Sequence, residues 1–276
     1  MEGYFSGADG TRLFYRFHAS AAGAPLMVGL HGHGEHSGRY EKFPSKLSLP
    51  FNYAFYDARG YGRSSGTRVY VDSFEDYLSD LSSFTEFLNT AHKTSGKFIL
   101  FGHSLGGLVA AHWALRHPEK LEGLILSSPC LGLRLPYFLI MMNALLNRCV
   151  PGLIYHNPVY PSFLTHDQAE LALYRQDTLI QRKISVRLVH EMITYIARLE
   201  AMPHPAFSFP LRILAAGSER VVNLAKTRQF FERAEAPQKD LKIFEGFFHE
   251  IFNESDQDRA FAALRDSLKQ IIKGLP

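Results

Sequence analysis

The sequence has few of the residues and runs that mark several protein classes. Its two cysteines, Cys130 and Cys149, are too few for a disulfide framework, and we expect both thiols to lie in the core. The formal net charge is only +3 and no long run of Lys and Arg occurs, so we expect no nucleic-acid partner. With 46% hydrophobic and 21% charged residues, the composition is that of a globular protein.

Long apolar runs are missing as well. The most apolar stretch, from Leu135 to Val150, includes Asn143, Asn147 and Arg148. It is shorter than the roughly 20 residues that a membrane-spanning helix needs. The first residues, MEGYFSGADG, have neither the basic start nor the apolar stretch of a secretory signal. These features predict a cytoplasmic protein without a membrane span.

Short apolar segments that end in glycine-rich or polar corners predict strands buried on both faces of a sheet. They cover residues 26–30, 53–56, 97–101, 121–126, 211–215 and 241–244. A hairpin is predicted before them, at the turn dipeptide Asp9-Gly10. Helical patterns lie between the strands, and one begins at Ser73 with Asp76 as a capping box. The alternation predicts an α/β fold with a mostly parallel, doubly wound sheet, whose ligands bind beyond the carboxyl ends of the strands.

The alternation fails between residues 132 and 205, where helical patterns follow one another. We therefore predict a core formed by residues 1–131 and 206–276, with residues 132–205 inserted between two late strands. The insertion is interpreted as a helical cap, or lid, because it leaves the sheet at a strand end where ligands bind. The alternative is a packed helical appendage without a role in binding.

The segment Gly102-His103-Ser104-Leu105-Gly106 fits the pattern G-x-S-x-G, follows a predicted strand and opens a predicted helix. In such a nucleophile elbow the serine lies on a sharp, strained turn, where side chains two residues away on either side would collide with their neighbours. The start of the helix also places the N–H of Leu105 where an oxyanion would form. The alternative interpretation is an ordinary tight turn.

A serine hydroxyl needs a base, and the base needs an acid to orient it. His249 follows the last predicted strand, and Glu219 follows the strand before it, which gives the chain order Ser, acid, His. The sequence thus predicts a triad of Ser104, Glu219 and His249. Glu219 could instead be a loop charge paired with Arg220, and His249 a buried structural histidine. Asp57 is the second candidate acid, although we expect it to order its own loop.

With these residues identified, the chain resembles the monoacylglycerol lipase family, including its lysophospholipase-like members, over nearly its whole length. The resemblance rests on HGHGEHSGRY, YDARGYGRSSG, GHSLGG, GSERVV and FEGFFHEIFNE, which begin at His31, Tyr56, Gly102, Gly217 and Phe244. It implies the α/β-hydrolase fold and a serine carboxylester hydrolase that needs no cofactor and no metal.

The same resemblance implies further site residues. The backbone N–H of His33 would complete the oxyanion hole with that of Leu105, while Glu35 and Arg39 would line the polar end that receives glycerol. The cap would line an acyl tunnel and touch membranes at its surface. The candidate tunnel residues are Leu135, Phe138, Leu139, Met142 and Leu145.

Two positions depart from the family pattern. Glu219 occupies the place of the usual aspartate, so either its loop must retreat or its hydrogen bond to His249 must change geometry. In the cap, Asp177-Thr178-Leu179 stands where the family usually has Asp-Pro-Leu.

The favoured hypothesis is a monoacylglycerol lipase that releases fatty acid and glycerol through an acyl-enzyme on Ser104. Lysophospholipase and short-chain carboxylesterase activities are the nearest alternatives, and a catalytically inert binding protein of the same fold is a further one. A metallo-hydrolase is the least favoured; it would use the cluster His31, His33, Glu35 and His36. The sequence leaves the oligomeric state open.

Overall fold

The computed structural model describes residues 1–21, 23–94 and 96–273. Within these ranges eight strands form one sheet: β1 (Glu2–Ser6), β2 (Arg12–His18), β3 (Leu26–Leu30), β4 (Asn52–Tyr56), β5 (Phe98–His103), β6 (Leu121–Ser127), β9 (Leu211–Ala216) and β10 (Lys239–Phe244). The short strands β7 (Ile154–His156) and β8 (Lys183–Ser185) pair separately. The helices are α1 (Phe43–Leu47), α2 (Phe74–Ala91), α3 (Leu105–Arg116), α4 (Tyr137–Cys149), α5 (Gln168–Gln176), α6 (Val186–Ala201), α7 (Leu224–Arg233) and α8 (Gln257–Lys273).

The large sheet has the order β1-β2-β4-β3-β5-β6-β9-β10. The β1–β2 hairpin and the β2–β4 pair are antiparallel, and all the other pairs are parallel. Helices α2 and α3 pack on one face, and α1 and α8 pack on the other, so each face has its own apolar core. The predicted α/β-hydrolase architecture and mostly parallel sheet are confirmed.

Most local sequence signals agree with the structure. Ser73 caps α2, and the Asp76 carboxylate accepts the Ser73 backbone N–H at 3.1 Å, so the capping box is present. The prediction that both cysteines are core residues is wrong for Cys149, which ends α4 and is exposed, whereas Cys130 is buried.

The inserted region, residues 132–205, is not wholly helical, because β7 and β8 form an antiparallel pair within it. Three-residue strands with mostly exposed side chains show no periodicity that the sequence could reveal. Helix α6 packs against α2 and α3, with the rings of Phe74 and Tyr195 stacked 4.1 Å apart. The packing of α6 therefore resembles that of a core helix, while α4 lies on the outside with most of its surface exposed.

Candidate active site

Ser104 lies between β5 and α3 in a strained conformation. Its φ of 51° and ψ of −116° belong to a region that side chains other than glycine rarely occupy. A Cβ atom on Gly102 would lie 2.4 Å from the carbonyl oxygen of Gly106, and one on Gly106 would lie 2.5 Å from that of His31. Both glycines are therefore needed for the turn, which has the form of a nucleophile elbow.

Glu219 and His249 meet because they follow neighbouring strands. The last residues of β9 and β10, Ala216 and Phe244, are paired in parallel, so the two loops leave the sheet side by side. Nδ1 of His249 and Oε2 of Glu219 are 2.8 Å apart, and both residues are buried. The prediction that these two residues form a pair thus has its geometric counterpart in the structure.

The loop around Glu219 accommodates the extra methylene of glutamate. Its second carboxylate oxygen, Oε1, accepts the backbone N–H groups of Val221 at 2.7 Å and Val222 at 3.2 Å. The chain folds back over the carboxylate. The glutamate at this position therefore keeps a hydrogen bond of ordinary length to His249.

The pair is also matched electrostatically. Burial raises the pKa of Glu219, but the charge of His249 and the hydrogen bonds to the carboxylate outweigh this and lower the pKa overall. Burial lowers the pKa of His249, whereas Glu219, Glu250 and Glu35 together outweigh that effect and raise the pKa above its ordinary value of 6.5. An ionised carboxylate beside the imidazole favours a strong base.

A cavity of about 430 Å³ lies beside Ser104 and His249. Ser104, His249, His33 and Glu35 all line it. Most of its remaining wall is apolar and comes from both the core and the inserted region: Leu133, Leu135, Pro136, Leu139, Val159, Phe163, Leu164, Ile184, Val189, Met192, Val221 and Val222. The cavity therefore combines polar groups around Ser104 and His249 with an apolar compartment lined in part by the inserted region.

The loop that carries His33 is fixed by Glu35. Oε1 of Glu35 accepts the N–H of Gly32 at 2.6 Å and the hydroxyl of Tyr40 at 2.7 Å. The carbonyl oxygen of Gly34 accepts the N–H of Gln181 from the inserted region at 2.8 Å. Glu35 thus lines the cavity and also holds the predicted oxyanion loop in place.

Residues 23–256 match the model of one protein family, Hydrolase_4, described as serine aminopeptidase S33. The chain belongs to this family. Human monoglyceride lipase is 31% identical over 90% of this chain and 82% of its own length. Phospholipase YtpA of Bacillus subtilis is 29% identical over 90% of this chain and 96% of its own length. The uncharacterized protein YnbC of Escherichia coli is 30% identical over 98% of this chain, which spans only 47% of that relative.

Solved structures agree with the assignment to Hydrolase_4. Monoacylglycerol lipase of Paleococcus ferrophilus superposes with a TM-score of 0.84 at 28% identity, over 94% of this chain and 99% of that one. A soluble variant of monoglyceride lipase from Saccharomyces cerevisiae superposes with a TM-score of 0.86 over 98% of this chain and 94% of that one. Because the two sequences are only 22% identical, this similarity shows the fold alone. The predicted resemblance to monoacylglycerol lipases is confirmed, and the chain has the sequence and fold of a hydrolase family.

The prediction for the tunnel wall is wrong for three residues of this Hydrolase_4 member. Leu135 and Leu139 line the cavity, but Phe138, Met142 and Leu145 are 67%, 49% and 64% exposed and do not line it. The reason is that α4 buries a polar residue: Asn143 is directed inward and donates to the carbonyl oxygen of Val186 at 3.2 Å. The apolar stripe of the helix therefore faces outward.

Arg39 also differs from its prediction, because it does not line this cavity. Its guanidinium group is buried and pairs with Glu250 at 2.5 Å and with Glu35 at 3.6 Å. Arg39 thus supports two acidic residues of the cavity wall and does not contribute to the wall itself. Glu250 was missed by the sequence analysis, although its position next to His249 was a usable signal.

Asp57 has the structural role expected of it. Oδ1 accepts the backbone N–H and the hydroxyl of Ser37 at 2.7 and 2.5 Å, and Oδ2 accepts the N–H of Arg63 at 2.8 Å. These bonds join two loops at the strand ends. Glu219 remains the acid that contacts His249.

Two of the three histidines in the cluster considered for a metal, His31 and His36, have both ring nitrogens in use. His31 bonds the carbonyl oxygen of Gly32 through Nδ1 at 2.7 Å and accepts the N–H of Ala58 through Nε2 at 2.9 Å. His36 accepts the N–H of Gly38 at 3.2 Å and bonds Asp177 at 2.8 Å. An imidazole with both nitrogens bonded within the protein has no lone pair to offer a metal. The arrangement disfavours the metallo-hydrolase hypothesis.

We expect the acidic limb of the pH dependence of kcat/KM to have its midpoint above pH 6.5, because the raised pKa of His249 keeps it protonated, and thus inactive as a base, up to that value. Burial lowers the pKa values of His33 and His103 to about 4, so these imidazoles would give a limb at lower pH. The measurement is the rate of hydrolysis of a soluble p-nitrophenyl ester against pH. A midpoint near pH 4 would contradict the assignment of His249 as the base.

Proposed function

We propose that this chain is a serine carboxylester hydrolase, a monoacylglycerol lipase that forms an acyl-enzyme on Ser104. The observation that carries the proposal is the buried Glu219–His249 pair at 2.8 Å, whose histidine lines the same cavity as a serine on a strained elbow. Cys130 also lines this cavity, but burial raises the pKa of its thiol to about 12, so it remains protonated and is a poor nucleophile.

The proposed reaction proceeds in two stages. His249 takes the proton of the Ser104 hydroxyl as the serine oxygen attacks the ester carbonyl, and Glu219 stabilises the resulting imidazolium. The backbone N–H groups of Leu105, at the start of α3, and of His33 stabilise the oxyanion. The tetrahedral intermediate collapses, and His249 gives its proton to the departing alcohol. Water then attacks the acyl-enzyme by the same steps and releases the fatty acid and free Ser104.

The two ends of the cavity support a lipid ester as substrate. Its apolar wall suits an acyl chain, and the buried Glu35 and Glu250 supply acceptors for the hydroxyl groups of a polar alcohol. The similarity to human monoglyceride lipase and to phospholipase YtpA supports the same class of substrate. Three classes of ester substrate are to be distinguished by experiment: neutral glycerol esters, lysophospholipids and short soluble esters.

The test is a series of monoacylglycerols and p-nitrophenyl esters of increasing chain length, hydrolysed in parallel by the wild type and Ser104→Ala. We expect kcat/KM to rise with chain length until the apolar compartment is filled. After correction for the intrinsic reactivity of each ester, kcat/KM should be higher for monoacylglycerols than for p-nitrophenyl esters of the same chain length. Activity that is highest on the shortest esters would favour the short-chain carboxylesterase instead.

We further propose that α4 contacts lipid membranes. Tyr137, Phe138, Met141, Met142 and Leu145 form an exposed apolar face on this helix, which we call the α4 face. It adjoins Leu135 and Leu139 of the cavity wall, so a lipid substrate could pass from a bilayer into the cavity. No helix in residues 1–21, 23–94 and 96–273 is long and apolar enough to cross a bilayer.

The double variant Phe138→Ser/Met142→Ser should bind phosphatidylcholine vesicles roughly tenfold more weakly or worse, because two apolar side chains no longer enter the bilayer. Its hydrolysis of a soluble short-chain ester should stay unchanged, since neither residue lines the cavity. Leu173→Ser is the matched control, because Leu173 is 63% exposed on α5, outside the α4 face. Equal vesicle binding by wild type and double variant, in a sedimentation assay, would refute the proposed contact.

A further inference from the structure

Two arginines lie at the opening of the cavity. Arg134 and Arg220 both line it and are both exposed, whereas Glu35 and Glu250 line the same cavity and are buried. The cavity wall thus includes two buried carboxylates and two exposed guanidinium groups. The proposed hydrolysis of neutral glycerol esters makes no use of the two positive charges.

Both guanidinium groups are held in position by the protein. Nη1 of Arg134 donates to the backbone carbonyl oxygen of Glu219 at 2.6 Å. The guanidinium carbon of Arg220 lies 4.3 Å from the ring centroid of Phe248 and 5.7 Å from that of Phe163. A side chain that is already positioned loses less freedom when it binds a ligand.

Neither charge is neutralised by a neighbouring carboxylate. Among the residues that the structure describes, neither arginine forms an ion pair with a carboxylate, and Glu219, next to Arg220 in the sequence, directs its two oxygens to His249 and to the N–H groups of Val221 and Val222. Stacking on an aromatic ring uses none of the N–H donors of Arg220, and the bond to Glu219 uses one of the five on Arg134. The remaining donors have the planar geometry that suits phosphate and carboxylate groups.

We propose that Arg134 and Arg220 bind an anionic group, phosphate or carboxylate, of the ester substrate at the opening of the cavity. The inference rests on the proposed ester hydrolysis at Ser104 and adds a preference for anionic over neutral esters. The anion could belong to the alcohol, as in an acyl glycerophosphate, or to the far end of the acyl chain, as in a dicarboxylic acid monoester. Both present the same oxyanion chemistry to the arginines.

The test compares Arg134→Gln/Arg220→Gln with the wild type on three soluble esters of equal chain length: octanoylglycerol, octanoyl glycerophosphate and the glycerol monoester of suberic acid. The wild type should prefer at least one anionic ester in kcat/KM. In the double variant, the ratio of kcat/KM on the anionic ester to kcat/KM on octanoylglycerol should fall about tenfold. The effect is modest because ion pairs at exposed positions contribute little binding free energy. The readout is this ratio of kcat/KM values, which a change that affects both esters equally does not alter.

Lys269→Gln/Lys273→Gln is the matched control, since it removes the same net charge from exposed positions on α8. It should leave the preference unaltered. An effect on the glycerophosphate ester alone would assign a phosphate, and an effect on the suberate ester alone would assign a carboxylate. Equal preferences in the wild type and the arginine variant would overturn the inference while leaving ester hydrolysis intact.

Binding separates this inference from the proposed function. Calorimetric titration of the three compounds into Ser104→Ala, with and without the two arginine substitutions, requires no turnover. Weaker binding of an anionic compound in the arginine variant would support the site even if the wild type hydrolysed none of the esters. Binding that is independent of the arginines would refute it, whatever the hydrolysis shows.

Discussion

Replacing Ser104 by alanine is expected to lower kcat for a monoacylglycerol by about six powers of ten. The loss is this large because the variant cannot form an acyl-enzyme, and the base and oxyanion donors that remain have no serine oxygen to act on. The cavity and the Glu219–His249 pair should persist, so KM should change little. The measurement is the initial rate of fatty acid release at saturating substrate.

Ser267→Ala provides the control for this prediction. Ser267 is also buried, but it lies on α8 and its hydroxyl donates to the carbonyl oxygen of Ala263 at 2.9 Å. This variant should retain the wild-type rate, and circular dichroism should show that both variants are folded. A loss of less than tenfold in folded Ser104→Ala would assign the nucleophile to another residue.

The second large effect is expected from Glu219→Gln, which should lower kcat by about 10⁴. A neutral amide does not stabilise the imidazolium, and its NH₂ group can force His249 into the wrong tautomer. The acidic limb of the pH dependence should also move to lower pH, because Glu219 contributes to the raised pKa of His249. The measurement is kcat against pH on the same ester.

Glu219→Asp is the informative partner variant. One oxygen of Glu219 accepts the N–H groups of Val221 and Val222, and the other bonds His249. Because the aspartate side chain is one methylene shorter, its carboxylate cannot keep all of these hydrogen bonds at once. We expect a loss of activity smaller than that of Glu219→Gln, since the charge is retained. Near-normal turnover in Glu219→Gln would remove Glu219 from the mechanism.

The fold and the polar part of the site could be predicted because their signals are local. Ser104 carries its own glycine pattern, and Glu219 follows the fully buried strand β9. His249 follows β10, which the sequence analysis expected to be buried on both faces, but β10 is an edge strand in which only Phe244 is buried. Parallel strands then bring such loops to one edge of the sheet. For the same reason Asp57 could be assigned to its loop and not to the triad.

The arrangement of the inserted region, residues 132–205, could not be predicted to the same depth, because it depends on contacts between distant segments. The direction in which α4 faces is set by Asn143, whose partner, Val186, is 43 residues away in the chain. A helix with an apolar stripe was assumed to bury it, and α4 does the reverse. Glu250 and Arg220 lie within motifs of the resemblance, but their places in the cavity wall, like that of Arg134, became visible only when the loops were assembled.

An inert binding protein with the same fold remains the main rival, because the fold alone does not specify activity. Such a protein could keep the Glu219–His249 pair and the apolar cavity while its serine failed to react. The two accounts therefore differ in one chemical property, the nucleophilicity of Ser104.

Fluorophosphonate labelling followed by intact-mass analysis and peptide mapping tests that property most directly, because the probe reacts with activated serines and needs no knowledge of the substrate. We predict a single adduct on Ser104 of the wild type, and none on Ser104→Ala. Folded wild-type protein that gains no adduct, or gains one elsewhere, would contradict the account.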